Sequence, residues 1–210
     1  MDAWRTLDGR PHAWFASPSH AAGAALLARI VETAGRVVDV DVRSRGVRVR
    51  LLPGDAGLSP AIDAAAAGLG LIPEPHRLQT LRLVLETPDP ERVAPFWLQA
   101  LGYERSGDDL VDPWQRDLPI RLVRDRDERP LRERLHVDVV RPAAALAAAA
   151  ETLGAAAGPW GVRHADADGI ELDAVPGDTL AGAPDWWTLF AAVARFAVPS
   201  PAVAVALAAE

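Results

Sequence analysis

Two short stretches of strict alternation stand out along the chain. Val37–Val42 alternates Val with Asp, and Val47–Leu51 alternates Val with Arg. A period of two marks half-buried strands, and Arg45–Gly46 between them supplies the turn of an antiparallel pair. Before them, Ala22, Leu26, Leu27, Ile30 and Val31 share one face of a helix over His20–Ala34, with Ser19 placed to cap it. After them, Gly54–Gly57 reads as a turn, Ser59 as a cap, Pro60 as a first-turn residue and Ala61–Leu69 as a second helix. Residues 1–75 are thus expected as one unit in the order helix, strand, strand, helix. Ile72–Pro75 reads as a Pro-rich linker.

A second pattern covers residues 78–176. Leu81–Glu86 has strand composition. Asp89 and Pro90 open a helix that runs to Leu101 and stops at Gly102. Tyr103–Arg105, Leu110–Asp112 and Ile120–Val123 are short strand candidates. The order then restarts: a strand at Leu135–Val140, a helix from Pro142 to Gly154, and strands at Val162–Ala165 and Ile170–Val175. Two βαβββ-like units in tandem, added to the first unit, predict an α+β chain. Arg124–Arg134 alternates charge signs around Pro130 and reads as a solvated loop between the two halves.

Residues 183–210 contain a partial repeat. AWFASPSHAAGAALLAR at 13–29 aligns without gaps to ARFAVPSPAVAVALAAE at 194–210, sharing Phe15/Phe196, Pro18/Pro199, Ser19/Ser200 and Leu26/Leu207. Trp186, Phe190, Val193 and Ala197 fall at helical spacing, and Ser200 with Pro201 opens another helix. The expectation is a helical tail that docks on the first unit, burying Trp186 and Phe190.

Composition narrows the function classes. Half of the 210 residues are hydrophobic, enough for a sizeable core. The net charge is −7 with no Lys/Arg block, which argues against nucleic acid as a partner. There are no cysteines, so disulfides and thiolate catalysis are excluded. No apolar run is long enough to cross a bilayer, and MDAWRTLDGRPHAW lacks a signal-peptide core. A cytoplasmic protein with no membrane partner is expected.

FWLQALGYE, RLHVDV and ADADGIELDAV resemble the glyoxalase-like branch of the vicinal oxygen chelate superfamily. The resemblance implies a paired βαβββ cup with metal ligands on its first, fourth, fifth and eighth strands. Carried over by motif, those positions fall on Arg82, Arg121, His136 and Glu171. Arginine keeps its proton and does not bind a metal cation, so only His136 and Glu171 are ligand types, and a catalytic site needs about three. The expectation is therefore no metal and no other cofactor, with His136 and Glu171 the ligands if one is present. His164 and Asp173 are further ligand types nearby. Two guanidiniums favour an anionic small molecule instead. The alternative is that Arg82–Glu171 and Arg121 with an acidic neighbour form ion pairs that fill the pocket. A metal-dependent lyase, isomerase or dioxygenase stands as the other reading. Trp97 and Phe96 are core residues or a pocket wall, and Trp114 and Trp160 are a lid or a core cover.

VVDVDVRSRGVRVRLLPGDAGLSPAIDAAA resembles pterin-4a-carbinolamine dehydratase. That family uses histidines as acid and base, whereas the matching places here hold Arg36, Val37 and Gly54. Asp39 and Asp55 remain. The resemblance implies a pterin-binding or dimerising scaffold without the proton-transfer groups, and a homodimer is one assembly it allows.

Overall fold

The computed structural model describes residues 3–115, 117–126, 136–188 and 192–210. The chain is α+β and divides into two compact units, one made of residues up to Thr80 with Phe196–Glu210, the other of Leu81–Arg195.

The first unit opens on a hairpin that the hydrophobic pattern did not reveal. β1 (Trp4–Leu7) pairs antiparallel with β2 (Arg10–Ala16) across Asp8 and Gly9, both at positive φ. An Asp-Gly loop of this kind twists as the strands do. α1 (His20–Ala34) follows, with Ser19 Oγ accepting from the Ala22 N–H. β3 (Asp39–Arg43), β4 (Gly46–Arg50) and α2 (Ser59–Gly68) complete the run. The sheet order is β1-β2-β4-β3, and β5 (Ile72–Pro73) adds to β2. The segment expected as a linker is therefore part of the sheet: Ile72 and Pro73 stand opposite Ala16 and Phe15.

Alternation divides this sheet into two faces. Ala13, Phe15, Val47 and Val49 are buried with Leu26 and Ile30 of α1 and Ile62 and Ala66 of α2. Burying each large side chain contributes about 1.5–3 kcal/mol. His12, Trp14, Asp39, Asp41, Arg43, Arg48 and Arg50 occupy the other face by register.

α5 (Pro201–Ala209) belongs to this unit and packs on α1. Its cap repeats that of α1, with Ser200 Oγ accepting from the Val203 N–H. The helical reading of the segment before it fails. Residues there form strands β13 (Ala183–Thr188) and β14 (Ala192–Ala194), paired antiparallel and continuing the second unit's sheet. Aromatic and β-branched residues such as Trp186, Trp187, Thr188 and Val193 suit a pleated surface better than four apolar positions suit a helix. Trp186 is exposed rather than buried. Phe190 lies outside the described residues.

Among the described residues the second unit holds two sheets. In the first, β6 (Leu83–Thr87), α3 (Pro90–Leu101), β7 (Glu104–Ser106), β8 (Asp109–Val111) and β9 (Ile120–Arg124) follow in turn, with strand order β6-β9-β8-β7 and β6 parallel to β9. In the second, β10 (Val137–Pro142), α4 (Ala143–Leu153), β11 (Arg163–Ala165) and β12 (Glu171–Leu180) lead into β13 and β14. β10 runs parallel to β12, and β11 pairs on β12. Asp89 does not cap α3 with its side chain; Thr87 Oγ1 instead accepts from the Asp89 N–H. Nor does Ser59 cap α2. Leu135 and most of the charged loop before it lie outside the described residues. Both sheets feed one core: Val93, Trp97, Ala100 and Leu101 of α3 meet Leu110, Ile120 and Leu172, with Leu83, Leu85, Val137 and Val139 packed against them. Among the described residues, no helix is long and apolar enough to cross a membrane.

Candidate functional site

Because Leu83, Leu85, Leu110, Ile120 and Leu122 point into the core, their neighbours in each strand fall on the opposite, open face. That face of the first sheet carries Arg82, Val84, Asp109, Arg121 and Val123. Arg121 stands opposite Asp109 on one side and Val84 on the other. Arg121 donates to both oxygens of Asp109, Nε at 2.7 Å and Nη2 at 3.0 Å. Arg82 Nη2 reaches the same carboxylate at 3.3 Å. Two guanidiniums, one just before β6 and one in β9, thus converge on one acidic side chain, itself mostly covered. Val84 and Val123 leave apolar surface exposed beside them.

The second sheet builds a different cluster by the same rule. Leu172 is fully buried and Val137, Val139 and Ala174 pack with it, so His136, Asp138, Glu171 and Asp173 share the open face. Asp138 and Asp173 are direct partners in the parallel ladder. His136 Nε2 lies 3.1 Å from Asp138 Oδ1. Glu171 pairs with Arg163 at 3.1 Å.

The four sequence-derived positions therefore fall into two pairs. Arg82 and Arg121 are joined through Asp109, and His136 and Glu171 sit at adjacent strand starts, each with its own partner. Of the ion pairs named as the alternative, Arg121 does meet an acidic neighbour, Asp109, whereas Arg82 pairs with Asp109 and Glu171 with Arg163 rather than with each other. Asp109 is not marked by the sequence because SGDDL reads as a turn, where an aspartate ordinarily serves the turn itself; in the structure it opens β8 opposite Arg121.

Metal-ligand residue types gather on this face in a set other than the pair His136 and Glu171. His136, Asp138 and Asp173 each offer a ligand atom, and these lie within 4.8 Å of one another. One imidazole and two carboxylates suit a divalent cation. All three are at least partly exposed. His164 is buried on β11, away from this group's open face.

The loop aromatics differ from one another. Trp114 is stacked under Arg195, whose guanidinium carbon is 3.4 Å from the ring centroid. Trp160 is 81% exposed in a turn. Trp97 is a core residue with Phe96 edge-on to it at 5.3 Å.

No curated protein matches the chain. The family model described as a glyoxalase-like domain matches residues 82–193. That span takes in both sheets, from Arg82 before β6 to Val193 in β14, and it is just over half of the chain. With that match across the unit that carries Arg82, Arg121, His136 and Glu171, the chain belongs to the glyoxalase-like domain family.

Proposed function

We propose that the glyoxalase-like unit binds a small anionic molecule on its open face, with Arg82 and Arg121 as the cationic contacts and without a catalytic metal at those two positions. The convergence of both guanidiniums on Asp109 carries this reading. A planar guanidinium fork matches a carboxylate or phosphate. Asp109 then acts as a stand-in for the ligand, orienting both forks until an anion displaces or joins it. Exposed Val84 and Val123 offer an apolar wall beside the charge, the mixed lining usual for small-molecule sites.

The test is calorimetric titration of the full chain with oxalate and with inorganic phosphate. Arg121→Gln and Arg82→Gln are expected to weaken binding by at least about tenfold, the scale of one lost charge-assisted contact. Asp109→Asn is expected to tighten it. Equal affinities in all four proteins would overturn the reading.

The cluster of His136, Asp138 and Asp173 favours a second reading, in which a divalent cation bound there supplies Lewis-acid chemistry. Elemental analysis of purified protein distinguishes the two: about one zinc, nickel or iron per chain, lost in Asp173→Asn, selects the metal reading. The first unit's likeness to pterin-4a-carbinolamine dehydratases is proposed as one of scaffold alone. Arg36 forms an ion pair with Asp55 there, a contact that holds a loop and moves no proton.

A further inference from the structure

The first unit contains a cavity of its own, on the sheet face turned away from α1 and α2. It measures about 260 Å³ and is lined by Trp14, Asp41, Arg43, Arg48, Arg77, Leu78 and Gln79. Register explains how these residues meet. Trp14, Arg48 and Asp41 form one row across β2, β4 and β3, and Ala16, Gly46 and Arg43 form the next. Gly46 is what admits the indole: a Cβ there would sit 2.5 Å from the Trp14 ring.

The charges in this cavity are unevenly matched. Arg43 is bound to Asp41 through Nε at 2.9 Å and Nη2 at 2.7 Å. Arg77 pairs with Glu74. Arg50 pairs with Asp39. Arg48 has no such carboxylate among the described residues; its Nη2 donates to the neutral ring of His12, at Nδ1, over 2.9 Å. Burial, and after it Arg50, act against its positive charge. Two further donors in the same row have no acceptor among the described residues, Arg48 Nε and Trp14 Nε1, and both are covered. A buried N–H without a partner costs about 1–3 kcal/mol.

We propose that this cavity is a binding site for a small carboxylic acid carrying a flat ring, its carboxylate held by Arg48 and its ring lying against the Trp14 indole, both of which line the cavity. Direct pairing of Trp14 with Arg48 across β2 and β4 sets the ring and the guanidinium side by side on this face. The volume suits a single ring rather than a drug-sized ligand. Arg48 already stands in the cavity wall, and Leu78 supplies apolar contact for the ring. The site lies wholly in the first unit and is independent of Arg82 and Arg121.

Benzoate is the probe, titrated into the full chain by calorimetry and by ¹H–¹⁵N spectra of the indole N–H groups. Wild type and Arg121→Gln are expected to share a benzoate site that Arg48→Gln weakens by at least about tenfold, one lost charge-assisted contact. The indole signal missing from Trp14→Phe is expected to be the one that benzoate shifts, a readout that does not depend on how Arg48→Gln folds. The proposal fails if that signal stays still at saturating benzoate, or if folded Arg48→Gln binds like wild type. Loss of the site in Arg121→Gln with Arg48→Gln unaffected would assign benzoate to the glyoxalase-like unit instead and overturn it.

Discussion

Trp97 Nε1 donates to Asp166 Oδ2 at 2.9 Å, joining α3 to the turn between β11 and β12 inside the core of the second unit. The other oxygen, Oδ1, accepts from the N–H groups of Asp168 at 2.9 Å and Ile170 at 3.0 Å. One carboxylate therefore closes the turn and fastens the helix. Asp168 extends the link by accepting from Thr87 and Arg92. Asp166→Ala strands a buried indole N–H and two turn amides together. Its expected cost is about 2–4 kcal/mol, against a smaller loss for Asp166→Asn, which keeps an acceptor. Urea unfolding measures both; coincident midpoints for Asp166→Ala and wild type would show that the contact is dispensable.

Gly46→Ala places a methyl group against the Trp14 ring. The ring must move off its strand partner, with a loss of about 1–3 kcal/mol as for other overpacked sites. Trp14→Leu should relieve most of that penalty. A double-mutant cycle in thermal melts reads the coupling. Additive losses would mean that the two residues do not compete for space.

His12 predicts a pH dependence. Burial first, then the guanidiniums of Arg48 and Arg50, lower its pKa from 6.5 to about 4. Above pH 6.5 the ring is neutral in folded and unfolded chains alike, and the contribution is fully present. As pH falls from 6.5 towards 4, the unfolded chain takes up a proton that the folded chain refuses, so stability declines. This one group contributes at most about 1.4 kcal/mol per pH unit across that window. His12→Gln should flatten the decline in denaturant titrations at pH 7, 6 and 5. Parallel slopes for variant and wild type would place the acid sensitivity elsewhere.

Removal of residues 199–210 tests the packing of α5 on α1. Val203 and Leu207 stay 42% and 50% exposed, so the helix buries only part of its apolar surface. The expected loss is about 1–2 kcal/mol, seen as a melting temperature lower by several degrees. Residues 183–195 should be kept, because β13 and β14 complete the other unit's sheet. An unchanged melt would make α5 a bystander.

What could be read in the chain beforehand follows from how each element is solvated. β3 and β4 were legible because one face packs on helices while the other is charged, which writes Val-Asp and Val-Arg into the chain. β1 and β2 were hidden because Trp14 and His12 on the polar face blur the alternation; Asp8-Gly9 was the signal that marked them. The segment that forms β13 carries apolar residues at helical spacing, so its period points to helix while its aromatic and β-branched content points to strand. Motif order singles out Arg82, Arg121, His136 and Glu171 as candidates. It does not single out their partners Asp109, Asp138 and Arg163, because strand register pairs them and no local pattern records register.

The first unit is discontinuous in the chain, and this sets the order in which its surfaces are completed during translation. α5 follows α1 from the ribosome only after every residue between Ala34 and Pro201 has been added. At about 5–20 residues per second that interval lasts roughly ten to thirty seconds. Throughout it the flank of α1 that receives α5 lacks that cover, and residues 81–195 of the second unit are synthesised meanwhile. The α1–α5 contact is therefore the step that ends the exposure of this flank to chaperones and to neighbouring nascent chains.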